Sequence, residues 1–325
     1  MNTKKIEKYL FEVGIPFELN VDLKKKTWIH RGGIASVFVI PQSVDELEQI
    51  ISYLYSNCIR FLLIGCTSNI YILNSTNIPV VVSTLRCNKI EVKNDYIECE
   101  CGVQVCNLAK QMIEEGIKGF EYLTKLPGTV GAAIYNNSTV MTDKNSIVAL
   151  LIDLEIVTPS GLQVFTSEEL HFEFRTSDLK KHIIEGVILR TRLRKEGGDK
   201  EIMTSVARTN EEERSKLLEG PVQNLGCTVH RAFCNGPMPL KYRLPCWIYS
   251  KLLTLFVGDR LKKSKLYKEF ILYISGHKRL IPYVSDKLMI TFIWRDEKAD
   301  IVFDEYLQFM REVYKTDKVE IEIIK

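Results

Sequence analysis

"TKLPGTVGAAIYNN" (residues 124–137) sets Pro127, Gly128 and Gly131 within five residues, directly before Ala132, Ala133 and the pair Asn136-Asn137. Proline fixes φ and lacks an N–H, whereas glycine accepts backbone angles closed to other residues. One such residue makes a tight turn. Three of them, with two alanines behind, describe a backbone that something else approaches closely. Taken alone, the stretch fits a flat or anionic ligand and a neighbouring protein segment equally well.

Outward from this stretch, strand and helix patterns are mixed. Upstream, "SVFVIP" is a β-branched run closed by Pro41, and "SVDELEQIISYLYSN" reads as a helix. Ser43 and Glu46 have capping-box spacing, and Val44, Leu47, Ile51 and Leu54 form one apolar stripe. "FLLIG" and "IPVVVST" read as buried strands on either side of a glycine-bearing loop, and "KIEVKN" and "YIECECG" as a strand pair with Cys99 and Cys101 on one face. A helix, "VCNLAKQMIEEG", stops at Gly116. Downstream, "LLIDLEIVTPSG" and "LQVFT" form a hairpin turning at Pro159 to Gly161, and "HIIEGVILRTRLRK" is a long strand. Gly197-Gly198 and the charged run "ARTNEEERSKLLEG" mark a boundary near residue 200, beyond which come a loop, an aromatic-rich middle, the helix "DEYLQFMREVYK" and the strand "KVEIEIIK". These textures predict an α+β protein in three parts: residues 1–85, 86–200 and 201–325.

Composition bounds the function. The 325 residues are 46% hydrophobic and 26% charged, as in ordinary globular proteins. A net charge of +3 gives no reason to expect nucleic acid as a partner. The N-terminal lysines are interrupted by Glu7 and Glu12, which does not make a signal peptide. No run approaches the roughly 18 apolar residues that span a bilayer; the densest, "CWIYSKLLTLFVG", is short and carries Lys251. The expectation is a cytoplasmic protein without a membrane partner. Nine cysteines without a CxxC pair, and five scattered histidines, predict reduced thiols and no metal site.

Four further motifs are weak singly. "GCTSN" (Gly65, Cys66, Thr67, Ser68, Asn69) is a turn whose amides could hold a phosphate. "FRTS" places Arg175 beside polar residues, "NLGCTV" puts Cys227 after a glycine, and "VEIEI" sets Glu320 and Glu322 on one strand face. Their order and spacing are more specific. Over residues 20–195, and again at "NLGCTV" and the C-terminal helix and strand, the chain resembles the UDP-N-acetylenolpyruvoylglucosamine reductase family. That family shows Gly-Gly-Gly-Ser-Asn, Gly-hydrophobic-Glu, Pro-Gly-Thr-Val-Gly-Gly-Ala, Tyr-Arg-x-Ser, Gly-Ser-x-Phe and Glu-Pro-Glu. Here they stand as Gly65 to Asn69, Gly119-Phe120-Glu121, Pro127 to Ala133, Phe174 to Ser177, Gly226 to Val229 and Glu320-Ile321-Glu322.

The resemblance implies a two-subdomain FAD-binding fold of the vanillyl-alcohol-oxidase (PCMH) type, formed by residues 1–85 and 86–200. A smaller α+β substrate-binding domain follows in residues 201–325. It implies FAD, NADPH as hydride donor, and a nucleotide-sugar substrate; a monomer is the default expectation, which the sequence itself does not reveal. Gly65, Cys66, Thr67, Ser68, Asn69, Pro127, Gly128, Thr129, Gly131 and Ala132 are the implied cofactor-binding residues. Arg175 is implied to neutralise charge at the substrate carboxylate, Cys227 to donate a proton where many relatives carry serine, and Glu322 to assist. The chain departs from the pattern at Cys66 and Thr67, at Ala132, and at His230-Arg231-Ala232, where the family has Lys-Asn-Pro. A paralogue acting on a related substrate, a flavoprotein oxidase, and a non-catalytic protein with a decayed flavin site stay open as alternatives.

Overall fold

The structure, a computed structural model, describes residues 3–140, 142–220, 222–229, 236–316 and 318–325. Its first elements are α1 (Thr3–Val13), β1 (Phe17–Asp22), β2 (Ile34–Val39), α2 (Val44–Ser56), β3 (Leu62–Ile64), β4 (Ile70–Ile72) and β5 (Asn77–Ser83). There follow β6 (Ile90–Val92), β7 (Tyr96–Glu100), α3 (Val105–Glu114), α4 (Val130–Tyr135), β8 (Thr139–Val140), β9 (Thr142–Ser146), β10 (Leu151–Thr158) and β11 (Gly161–Thr166). Next come β12 (Phe172–Glu173), β13 (Thr176–Ser177), β14 (Val187–Arg194), α5 (Lys200–Leu217), α6 (Leu240–Phe256), α7 (Arg260–Ile274), α8 (Lys298–Tyr314) and β15 (Glu322–Ile324).

The chain forms two compact units. One comprises Met1–Lys26, Gly32–Thr67 and Asn74–Glu212; the other Thr27–Arg31, Ser68–Leu73 and Glu213–Lys325. In the first unit, β2, β5 and β3 run parallel and β1 closes the edge antiparallel, in the order β1-β2-β5-β3. Helix α2 packs its predicted stripe inward, with Val44, Leu47, Ile51 and Leu54 all buried. Ser43 Oγ accepts from the Glu46 N–H at 3.2 Å, while the Glu46 carboxylate accepts from the Gln42 N–H at 2.8 Å. The capping box therefore reaches one residue further back than its usual form.

A second, antiparallel sheet has the order β11-β10-β14-β7-β6. Cys99 and Cys101 point together into the core with α3, which ends before Gly116 at φ +75°. Such an angle is open to glycine at little steric cost. Strand β14 is shorter than its apolar pattern predicts, beginning at Val187. The charged run after residue 200, read from the sequence as a boundary, is helical. In α5 only Met203 and Ala207 are buried, so its Glu, Lys and Arg side chains remain solvated along a regular helix.

In the second unit, β15 pairs in parallel with β4, a strand from the first quarter of the sequence. The core is aromatic: Trp294, Phe292, Phe303, Tyr306 and Phe309 are buried, joined by Ile29 and Tyr71 from the two short inserted segments. Polar groups fasten those segments. Arg31 Nε lies 3.3 Å from the Asp300 carboxylate, to which the Tyr71 hydroxyl donates at 3.1 Å. The buried Lys268 ammonium donates to the carbonyls of Ile281 (2.9 Å) and Val284 (3.0 Å) and pairs with Asp286. Those partners supply what a buried charge requires. Among eight cysteines, Cys87, Cys99, Cys101 and Cys246 are buried, Cys66, Cys106 and Cys227 are half-buried, and Cys58 is exposed. All eight are free thiols; Cys234 and the segment His230-Arg231-Ala232 lie outside the described residues.

Candidate functional site

The predicted residues fall into two groups, one in each unit. In the first unit the opening stretch becomes the N-terminus of α4. Thr129 is its N-cap, its hydroxyl accepting from the Ala132 N–H at 3.4 Å. The backbone is held against the turn after β7: the amides of Val130 and Gly131 donate to the carbonyls of Val103 (2.8 Å) and Cys101 (2.9 Å), and the Val105 amide donates to Gly128 (3.1 Å). A Cβ on Gly131 would lie 3.0 Å from the Cys101 Cβ. The close approach at Gly131 is therefore by the protein itself. Gly128, at φ +111°, makes the turn that leads into the cap.

Loop 65–67 docks on the same cap. A Cβ on Gly65 would lie 2.7 Å from Thr129 Oγ1, so the glycine is required by packing. Thr67 is buried and adopts φ +55°, the left-handed region that costs a non-glycine residue roughly 1–2 kcal/mol. The loop thus keeps a glycine-like conformation although threonine occupies it. Thr67→Gly is expected to be more stable than Thr67→Ala by about 1 kcal/mol, because the two differ chiefly in tolerance of that angle. Equal urea midpoints for the two variants would show that the angle is not retained. Burial, with Cys106 nearby, pushes the Cys66 thiol up to about 11, so it is neutral near pH 7.

Arg175 lies at the tip of a two-residue turn between β12 and β13, with φ +58°. Ser177, the last residue of the motif, anchors that hairpin: its hydroxyl donates to the Tyr135 carbonyl at 2.7 Å, at the C-terminal end of α4. Lys180 donates to the Asn136 side chain, and Asn137 Nδ2 donates to the Glu173 carbonyl at 2.8 Å. One short helix therefore carries loop 65–67 at its start and the Arg175 hairpin at its end. The sequence did not reveal Asp178 as part of this anchor. Its buried carboxylate accepts from the His171 amide (3.1 Å) and faces the His171 ring (2.9 Å).

Those bonds, the ring bond first, hold the Asp178 carboxyl below its ordinary range. A depressed folded-state pKa contributes stability above the unfolded value, near 4, which is lost as pH falls through the folded value. Asp178→Asn is expected to cost about 1 kcal/mol at neutral pH and to flatten the loss of stability below pH ~4. Urea midpoints measured against pH for both proteins check this.

In the second unit the chain brings Ser68, Asn69, Cys227 and Glu322 to one place. Asn69 Nδ2 donates to the Glu320 carbonyl at 3.1 Å, and its own carbonyl accepts from the Glu322 amide at 2.9 Å. The Glu320 amide donates to the Thr228 carbonyl at 2.8 Å, next to Cys227. Glu322 sits opposite Ile70 in the β4–β15 ladder. Gly226, at φ +73°, donates its amide to the Asn224 side chain at 2.9 Å and so turns the chain before Cys227. Tyr306 of α8 is a neighbour the sequence did not single out, since its place in an apolar stripe reads as core. Burial first, with Tyr314 and Cys227 adding to it, pushes its phenol well above the usual range and keeps it protonated.

Residues 35–167 match a family model described as an FAD binding domain. The UDP-N-acetylenolpyruvoylglucosamine reductase of Caldicellulosiruptor saccharolyticus is 26% identical over 221 residues, 67% of this chain and 70% of the relative. The enzyme of the same name from Bacillus subtilis is 29% identical over 197 residues, 60% of this chain and 64% of the relative. Among solved structures, a UDP-N-acetylenolpyruvylglucosamine reductase from Thermus caldophilus superposes with a TM-score of 0.66 at 21% identity. That match covers 96% of this chain and 99% of the other, and establishes the fold.

Proposed function

We propose that this chain, a divergent member of the UDP-N-acetylenolpyruvoylglucosamine reductase family, is an FAD-dependent oxidoreductase of peptidoglycan precursor synthesis. It uses NADPH to reduce UDP-N-acetylglucosamine enolpyruvate to UDP-N-acetylmuramate. The retained shape of loop 65–67 carries this reading. Thr67 holds the left-handed angle, Gly65 has no space for a side chain, and the Cys66 thiol is neutral, presenting no negative charge to a diphosphate. The residues present therefore fit the cofactor despite the missing glycines. Gly65, Cys66, Thr67, Ser68 and Asn69, with Pro127, Gly128, Thr129, Gly131 and Ala132, are the proposed FAD contacts. Residues 1–85 and 86–200 are the proposed flavin-binding parts and 201–325 the substrate part of a cytoplasmic monomer.

When bound, FAD would supply hydride transfer between NADPH and C3 of the enolpyruvyl group. Hydride addition at C3 would leave negative charge at C2, delocalised into the substrate carboxylate. Arg175, with a guanidinium fork suited to a carboxylate, is proposed to stabilise that charge. Cys227 is proposed to donate the proton that completes C2. A thiol, with a reference pKa near 8.5, is a stronger acid than the serine hydroxyl and still largely protonated at neutral pH. Glu322 is proposed to assist as a hydrogen-bonding partner at the same carboxylate.

The purified protein is expected to be yellow, to bleach anaerobically with NADPH, and to recover its absorbance when the enolpyruvyl nucleotide sugar is added. A colourless preparation that cannot be reconstituted with FAD overturns the reading. Bleaching without recovery would leave a flavoprotein with a different substrate.

A further inference from the structure

Helix α6 is apolar on the side it turns away from its own core. Tyr242, Cys246 and Leu253 are buried, and Tyr249 stacks on Phe270 of α7 with ring centroids 4.2 Å apart. On the opposite side, at helical spacing, Leu240, Leu244, Trp247, Ile248 and Leu255 remain 47–76% exposed, and Phe256 at the end is 82% exposed. Scattered exposed apolar residues are normal, but a continuous stripe along a 17-residue helix marks an interaction face.

The charge around this stripe says what covers it. Residues 240–265 hold seven Lys and Arg against Asp259 alone, a local net charge of +6 in a chain whose total is +3. Lys241 and Arg243 border the stripe on either side. Lys251 lies within it, its ammonium 6.0 Å from the Trp247 ring. The first turns of α7 add Arg260, Lys262 and Lys263 just beyond Phe256. An apolar face with an indole, bordered by cations whose stems can lie along it, suits the boundary between acyl chains and anionic headgroups. A second copy of the chain fits less well. Two-fold pairing of α6 would bring these cations together, and the helix has no carboxylate to oppose them. No described helix is long and apolar enough to cross a membrane, so the face would lie on the surface.

We propose that the exposed face of α6, with the basic start of α7, docks this protein on an anionic phospholipid surface. This departs from the expectation of no membrane partner, which rested on the lack of a bilayer-spanning apolar run and did not weigh a local net charge of +6. The docking is independent of the reductase reading and uses none of its residues.

Vesicle flotation tests it, with phosphatidylglycerol-containing vesicles against pure phosphatidylcholine at about 0.1 M salt. The expected result is at least roughly tenfold more protein on the anionic vesicles, with a blue shift of tryptophan emission that Trp247→Phe removes. Leu255→Glu with Phe256→Glu, and separately Lys262→Glu with Lys263→Glu, should each lower binding about tenfold at an unchanged melting temperature. Equal binding to both vesicle types, no binding to either, or binding indifferent to both double variants overturns the proposal. A dimer that Leu255→Glu dissociates, or capture of poly-glutamate without capture of vesicles, would overturn it in favour of a second copy or an acidic polypeptide.

Discussion

Replacing Cys227 by alanine is expected to slow reduction of the enolpyruvyl substrate by about 10²–10⁴-fold while NADPH reduces the flavin at the wild-type rate. The loss should be confined to one half-reaction because the proposed proton is needed only after hydride has reached the substrate. The loop is held from both sides, by the Gly226 amide on Asn224 and by the Thr228 amide on the Ile290 carbonyl at 2.7 Å. Truncating a half-buried thiol there should change stability little. Cys227→Ser should retain activity with its pH dependence displaced, since the hydroxyl is the weaker acid. Stopped-flow traces of the two half-reactions decide the matter. Equal slowing of both would remove Cys227 from the chemistry and leave it a structural residue.

Adding one methyl at Gly65 is expected to weaken FAD binding by about 10–100-fold. The new Cβ would lie 2.7 Å from Thr129 Oγ1 and 2.9 Å from its Cγ2, well inside contact distance. Two responses are open. Thr129 can rotate, giving up its cap on α4 at a cost of about 1 kcal/mol, or loop 65–67 can shift and strain by roughly 1–3 kcal/mol. Each response displaces proposed cofactor contacts, and 1.4 kcal/mol corresponds to tenfold in affinity. Flavin retained through gel filtration, with a titrated Kd, measures the effect. Wild-type affinity in Gly65→Ala would mean that the loop takes no part in holding the cofactor.

Local features carried far in the sequence and long-range ones did not. The stripe on α2 and its Ser43 cap depend on residues within two turns, and both are found in place. The hairpin β10–β11 and the pairing of β6 with β7 are equally local. Strand β4 was invisible because three residues, Ile70 to Ile72, carry no periodicity and their partner lies near the C-terminus. The charged run of α5 read as a boundary because few of its positions are apolar. At the candidate site, motif order singled out residues but not the local reason each has its type. At Gly131 the sequence left a ligand and a packing neighbour equally open, and the fold supplies the neighbour, Cys101, on the side where a Cβ would stand. Arg175 was a residue beside polar neighbours, and only its turn explains the following Ser177, which ties the hairpin to Tyr135. Asp178 and Tyr306 carry no signal of their own, since their relevance comes from neighbours that the fold supplies.

The chain passes between its two units at residues 26–27, 31–32, 67–68, 73–74 and 212–213. The C-terminal unit therefore cannot be inherited or exchanged as a cassette cut near residue 200. Such a fragment would lack β4, the strand beside β15, and the Arg31 guanidinium that faces Asp300. The crossing at 67–68 falls inside the stretch Gly65 to Asn69, so that single motif is divided between the two units.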